Sequence, residues 1–325
     1  MKTKTLLSII AIILFSCNLS AQKYPTGSLL WKVSGNGLEQ DSYVFATWHG
    51  SPEICTNFLD SINNFYKIFD SCTQFVGETS DNNSEIAKAM MKPLGTIPLS
   101  PDTTYNDLLS EEDIALVDSV GRKYFGESVP VLKLNPNMLT FVIASANMAN
   151  QYVDKSGEKC ETVMDTYLMS RARENNYSMV GLDNEDILQE QTKLLLFEGK
   201  IPNNLQDAAN YLVKTIKELD EHIQDSINKN QTDALAKAYR EKDLNKILEI
   251  KENSFAEMKE KYDEAFVEQL NEFLIIERNN IWMQEIPELI KYESTFIAVG
   301  AAHLAGEKGL LNQLKLKGYT VEAVK

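Results

Sequence analysis

Two histidines stand where apolar, β-leaning runs come to an end. Residues 43–53 read YVFATWHGSPE and residues 296–307 read FIAVGAAHLAGE, so His49 and His303 each follow small residues at a strand exit. The chain has only three histidines in 325 residues. Neutral imidazole is the commonest protein ligand for zinc and similar ions, and carboxylates often complete such sites. Small residues before each ring let the backbone approach closely. Each histidine is followed four residues later by a glutamate, Glu53 and Glu307. Where a short helix follows the strand, that spacing puts both side chains on one face. Taken singly, either histidine reads as a half-buried structural residue bonded to a carbonyl. As a matched pair they read equally well as two ligands of one ion. His222 lies in the acidic, polar stretch LDEHIQDS and reads as a surface residue.

Two such residues meet only if the strands that carry them share a sheet. The start of the chain reads as a hairpin, SLLWKVS and SYVFATW around the turn Gly35-Asn36-Gly37. TQFVGET (73–79) is a short strand ending in Glu78, and YSMVGL (177–182) is another ending at Asp183. Residues 294–302 and 319–324 complete the set. Between them the pattern is helical: Ser110 precedes three acids as a capping serine, and 137–152 and 161–175 carry apolar residues at three- and four-residue spacing. From about 185 to 292 the chain is almost wholly helical in character, broken only by Gly199, Pro202 and Pro287, which implies several antiparallel helices. The expected fold is α/β (α+β): a central sheet joining N- and C-terminal strands, with a large helical block between them, in one domain over 22–325. Phosphate-loop, dinucleotide, H-E-x-x-H and G-x-S-x-G signatures are absent.

Lys2 and Lys4, the apolar run to Phe15 and the small polar stretch 18–21 have the layout of a secretory signal, with cleavage after Ala21. Cys17 in LFSC offers a lipid anchor as the alternative. The expected location is periplasmic or extracellular. Removing residues 1–21 takes away two lysines and no acid, leaving the chain two charges more negative than the −15 of the full sequence. That surface repels nucleic acid and anionic membranes. No later segment is long and apolar enough to span a membrane. In an oxidising compartment Cys55 and Cys72 can close a short loop and leave Cys160 free, and three inert thiols fit the spacing equally.

LLWKVSGNG, SYVFATWHGSPE, ERNNIWMQEI (277–286) and FIAVGAAHLAGEKGLLNQLKLKGYTVEAV together resemble the TraB/GumN family, which includes the TIKI proteins, described as metal-dependent proteases. MDTYLMSRARENNYSMVGLDNEDILQEQ is similar to the segment leading to that family's "gLEt…Q" element. The hallmark is a pair of Gly-x-x-His motifs with an acidic residue after the next strand. The second motif is intact, Gly300 to His303; in the first, Ala46 stands in the glycine position, where its methyl group would crowd a close approach. The acidic position falls on Glu78, Asp183 replaces the glutamate of the later element, and the family's Arg-Asn pair falls on Arg278 and Asn279.

The resemblance implies that His49, His303 and Glu78 hold a divalent ion (Mn, Co or Zn). Glu78, or one of Glu53 and Glu307, would act as ligand or base, and Arg278 and Asn279 would bind the substrate. Arg278 has an alternative use, in an ion pair with Glu277 or another acid. Glu53, Asp183 and Glu307 would stand around the ion's ligands. The function expected is an exported metal-dependent hydrolase acting on a peptide or protein substrate. The alternatives are a non-catalytic binding protein of the same fold and a metal- or haem-handling protein.

Overall fold

A computed structural model describes residues 24–49, 54, 56–96, 102–126, 134–150, 163–222, 226–260 and 262–325. The signal-like segment, Cys17, Glu53, Cys55 and Cys160 lie outside the described residues. The fold is α/β, built on one six-stranded sheet. Strands β1 (Leu30–Ser34) and β2 (Ser42–Thr47) form the expected hairpin. Its turn takes Gly35, Asn36 and Gly37 into the left-handed region at φ 76, 48 and 82°, where glycine and asparagine are the tolerated residues. The short helix α1 (Phe65–Phe69) leads into β3 (Gln74–Gly77).

After β3 come α2 (Asn83–Met91), α3 (Glu111–Phe125), α4 (Pro136–Asn150) and α5 (Met164–Glu174), then β4 (Ser178–Gly181). Helices α6 (Glu185–Phe197), α7 (Leu205–His222), α8 (Ser226–Arg240), α9 (Leu244–Met258), α10 (Glu264–Asn271) and α11 (Arg278–Leu289) fill the interval to β5 (Thr295–Gly300). Helix α12 (Leu310–Leu316) and β6 (Thr320–Ala323) close the chain. Ser110 caps α3 by accepting the Asp113 amide at 3.2 Å. The helices are not a unit contiguous in sequence: Val117 of α3 and Leu139 and Ile143 of α4 share a core with Leu212 and Ile216 of α7.

The strand order is β4-β3-β5-β2-β1-β6. β4, β3, β5 and β2 run parallel, and β1 is antiparallel to both β2 and β6. The N- and C-terminal strands therefore interleave, with β5 between β3 and β2. Every residue of β5, TFIAVG, is buried, as suits a parallel strand flanked on both edges and covered on both faces. Phe45, Phe65, Phe69 and Phe296 pack in the main core with ring centroids 4.8–6.3 Å apart. Cys72 is a free thiol turned into this core, its Sγ 3.5 Å from the Ile68 carbonyl. Burial raises the pKa of that thiol to about 11.

Candidate active site

Four parallel strands deliver four polar side chains to one edge. His49 lies two residues beyond β2, Glu78 directly beyond β3, Asp183 two beyond β4 and His303 three beyond β5. The carboxyl edge of such a sheet is where ligands bind in open α/β folds.

Arg278 joins them from the start of α11, immediately after a π-helical turn at Glu272–Glu277. Wide turns of that kind recur at functional sites. Its guanidinium is spent on five contacts. Nε and Nη2 donate to the two oxygens of Asp183 at 3.1 and 2.8 Å, and Nη2 also donates to Glu78 Oε2 at 2.6 Å. Nη1 donates to the Leu274 carbonyl and lies 3.2 Å from His303 Nε2. The acid that pairs with Arg278 is thus not its neighbour Glu277 but two carboxylates far away in sequence. The side chains of Arg278, Glu78 and Asp183 retain only 6, 15 and 1 % exposure. Asp183, one carbon shorter than glutamate, receives Arg278 in bidentate fashion and also accepts from Trp282 Nε1 at 3.0 Å and Gln191 Nε2 at 3.3 Å.

The two histidines are oriented through opposite nitrogens. His303 Nδ1 lies 2.8 Å from Asn279 Oδ1; since that oxygen only accepts, the proton belongs on Nδ1 and the Nε2 lone pair faces Arg278 and Glu78. Asn279 also donates to the carbonyls of His303 and Lys308, so its amide is occupied in holding this loop. At His49, Nε2 lies 2.9 Å from Asp165 Oδ2 and 3.1 Å from Thr47 Oγ1, whose own proton goes to Asp165 Oδ1. Because Thr47 spends its proton on Asp165, its oxygen accepts from His49, which puts a proton on Nε2. His49 Nδ1 and Glu78 Oε1 lie 3.3 and 3.2 Å from the point a Gly300 side chain would occupy. Gly300 donates its amide to Glu78 Oε1 at 2.7 Å. The missing Cβ of Gly300 is therefore the space around which the site is arranged.

The methyl of Ala46 does not intrude on this space. In the sheet, Thr47 pairs with Gly300 and Ala46 with Val299, so the two Gly-x-x-His motifs are offset by one residue. Thr47 points its hydroxyl at the site, and strand alternation sends the Ala46 side chain to the opposite face, into the core. The crowding expected from the sequence does not occur.

Glu307 is exposed, and the H-x-x-x-E spacing does not form a helical face. The strand exit makes one 3₁₀ turn (Ala301–His303) and then bends at Gly306. Thr47, Asp165 and Trp282 are site residues that sequence reasoning missed. Asp165 lies in the first turn of α5, where an acid is ordinary, and only its contact with His49 distinguishes it.

The electrostatics follow from burial and pairing. His303 is fully enclosed; burial and the nearby Arg278 hold its pKa down to about 3 against the pull of Glu78. His49 keeps 46 % of its side-chain surface exposed. The cost of its partial burial is outweighed by Asp165 and Glu78, which raise its pKa to about 9. Burial works to raise Glu78, but His49, His303 and Arg278 hold it well below the usual carboxylate range. Asp183 is shifted upward by burial, with Arg278 opposing.

A model of the TraB/PrgY/gumN family matches residues 29–323. The chain belongs to this family. No curated protein and no solved structure matches the chain significantly. Both histidines, Glu78, Asp183 and the Arg278-Asn279 pair fall inside the family match.

The donor types of the site suit an ion: two imidazoles, each fixed by an acceptor on its far side, face a carboxylate, and His49 would give up a proton to become a ligand. The spacing is open. Glu78 Oε1 and His303 Nε2 stand 3.9 Å apart, against about 3.4 Å for two ligands ~2.1 Å from a tetrahedral centre. Among the described residues no three His, Cys, Asp or Glu side chains stand in a closed metal-holding group.

Proposed function

We propose that this family member is an exported, metal-dependent hydrolase of peptides. One observation supports the reading above the others: His49 Nδ1 and His303 Nε2 are turned toward Glu78 while Asp165 and Asn279 stand at the far sides of the two rings. His49 Nδ1, His303 Nε2 and Glu78 are the groups that would hold a divalent ion, manganese, cobalt or zinc. Such an ion lowers the pKa of bound water toward neutrality and polarises a carbonyl. Glu78 serves as a ligand rather than a base, because a carboxylate held far below its usual range is a weak proton acceptor near neutral pH. Arg278 holds positive charge beside Glu78, fixed by Asp183, where it stabilises negative charge developing on a substrate carbonyl. Asn279 and Asp165 set the two rings. The signal-like layout of residues 1–21 supports export.

A second reading is favoured by the closed bonding of Arg278, which already neutralises Glu78 and Asp183. In that reading the protein is a non-catalytic binder of the same fold. Incubation of the purified protein with Mn²⁺, Co²⁺ and Zn²⁺, followed by metal analysis and a peptide-library cleavage assay, separates the two. The hydrolase reading expects one ion per chain and cleavage that His49→Ala and His303→Ala both abolish. Negligible metal in all three proteins, or cleavage that survives both substitutions, overturns it.

A further inference from the structure

Helix α2 carries Ile86, Ala87, Ala89, Met90 and Met91, yet buries none of its residues. It stands across from α6, and between the two lies a cavity of about 980 Å³. That volume is at the upper end of what small-ligand sites use. One wall is apolar, Ile86, Ala87 and Met91 from α2 with Leu188 from α6, and Glu85, Lys88 and Lys92 are charged residues of the same lining. Its inner end is Asp183, whose carboxylate holds Arg278 and through it Glu78. The far rim is tied by the ion pair of Lys92 with Glu185. The cavity thus shares Asp183 with the proposed active site, and none of the residues of its apolar wall takes part in that site.

Ser80 lines the same cavity, two residues beyond Glu78. Its chain is pressed against β4: a Cβ on Gly181 would lie 2.1 Å from the Ser80 nitrogen. Among the described residues the Ser80 amide donates to no backbone carbonyl. An extended chain laid along this rim would pass Ser80 with the apolar wall beside it.

We propose that this cavity receives an apolar side chain of an extended peptide, whose backbone passes Ser80 on its way to Glu78 and the two histidines. The proposal rests on the peptide reading of the site and adds its selectivity. An aliphatic or aromatic side chain meets Ile86, Ala87, Met91 and Leu188. An acidic one would give up its hydration against the same apolar wall, with Glu85, Asp183 and Glu185 around it as well as Lys88 and Lys92.

The test uses the metal-free, full-length protein and two dye-labelled nonapeptides that differ only in a central Leu or Asp, with binding followed by fluorescence anisotropy. The Leu peptide is expected to bind at least ten-fold more tightly. Ala87→Trp, at a half-buried wall position, is expected to fill the cavity and remove the preference at an unchanged melting temperature. Should that variant melt early, Ser84→Trp at the mouth makes the same comparison. Equal affinity for the two peptides, or a preference that survives both tryptophans, overturns the proposal. Because no metal or cleavage is involved, selective binding by a protein that neither takes up metal nor hydrolyses peptides would sink the hydrolase reading alone.

Discussion

Replacement of Arg278 by leucine probes the arrangement at its most connected point. The substitution removes five polar contacts and leaves Glu78 and Asp183, at 15 and 1 % exposure, without their cation. Breaking a buried pair by deleting one partner costs about 3–5 kcal/mol, because the remaining charge stays desolvated. The effect depends on pH in a definite direction. In the native protein Glu78 has a depressed pKa, so its contribution is present above the ordinary carboxylate range and lost only as pH falls through the folded value. In Arg278→Leu the stranded carboxylates gain protons more readily than in the native protein. The destabilisation is therefore largest near pH 7–8 and shrinks as pH approaches 5. Urea unfolding of both proteins at several pH values measures it. A loss below about 1 kcal/mol at pH 7, or a loss independent of pH, refutes the buried-network account. Adding Asp183→Leu to the variant recovers part of the loss, since it removes one stranded charge.

Gly181→Ala places a Cβ 2.1 Å from the Ser80 nitrogen and 2.6 Å from the Thr79 carbonyl carbon, so backbone must move. It is expected to destabilise by about 1–3 kcal/mol in thermal unfolding while also displacing Glu78. The raised pKa of His49, about 9 against 6.5, makes its contribution to stability fully present below pH 6.5 and lost as pH rises through 9. Asp165→Asn removes that alkaline slope, and an NMR titration of the His49 ring moves toward the ordinary value. Asn279→Ala frees both the Nδ1 side of His303 and the 303–308 loop. Isothermal titration is expected to show metal affinity lower by about 10–100-fold, as for other residues that orient a metal-binding histidine.

Much of the frame could be read directly from residue patterns. The continuous apolar run of β5 and the Gly35-Asn36-Gly37 turn specify their own conformations locally, and the small residues before each histidine mark where the backbone must open. Which strands adjoin could not be read. Nothing in Thr47 or Gly300 alone reveals that they pair across the sheet, and that one-residue offset is what puts the Ala46 methyl in the core. The partners of Arg278 lie 95 and 200 residues away, and a spacing argument favours Glu277 because it is near. Asp165 likewise gains its role only when α5 packs beside the exit of β2. Local chemistry is written in the sequence; the pairings that give it a partner arise from topology.

The account turns on whether His49, Glu78 and His303 share one ion. The electronic absorption spectrum of the Co²⁺-incubated protein answers this most directly, because ligand-field bands report nitrogen and oxygen donors at a low-symmetry site. The account predicts such bands in the native protein, growing as pH rises from 6 toward 9 because the metal must displace the proton on His49. It predicts their loss in both His49→Ala and His303→Ala. A spectrum no different from aqueous Co²⁺, or bands unchanged by either substitution, would contradict it.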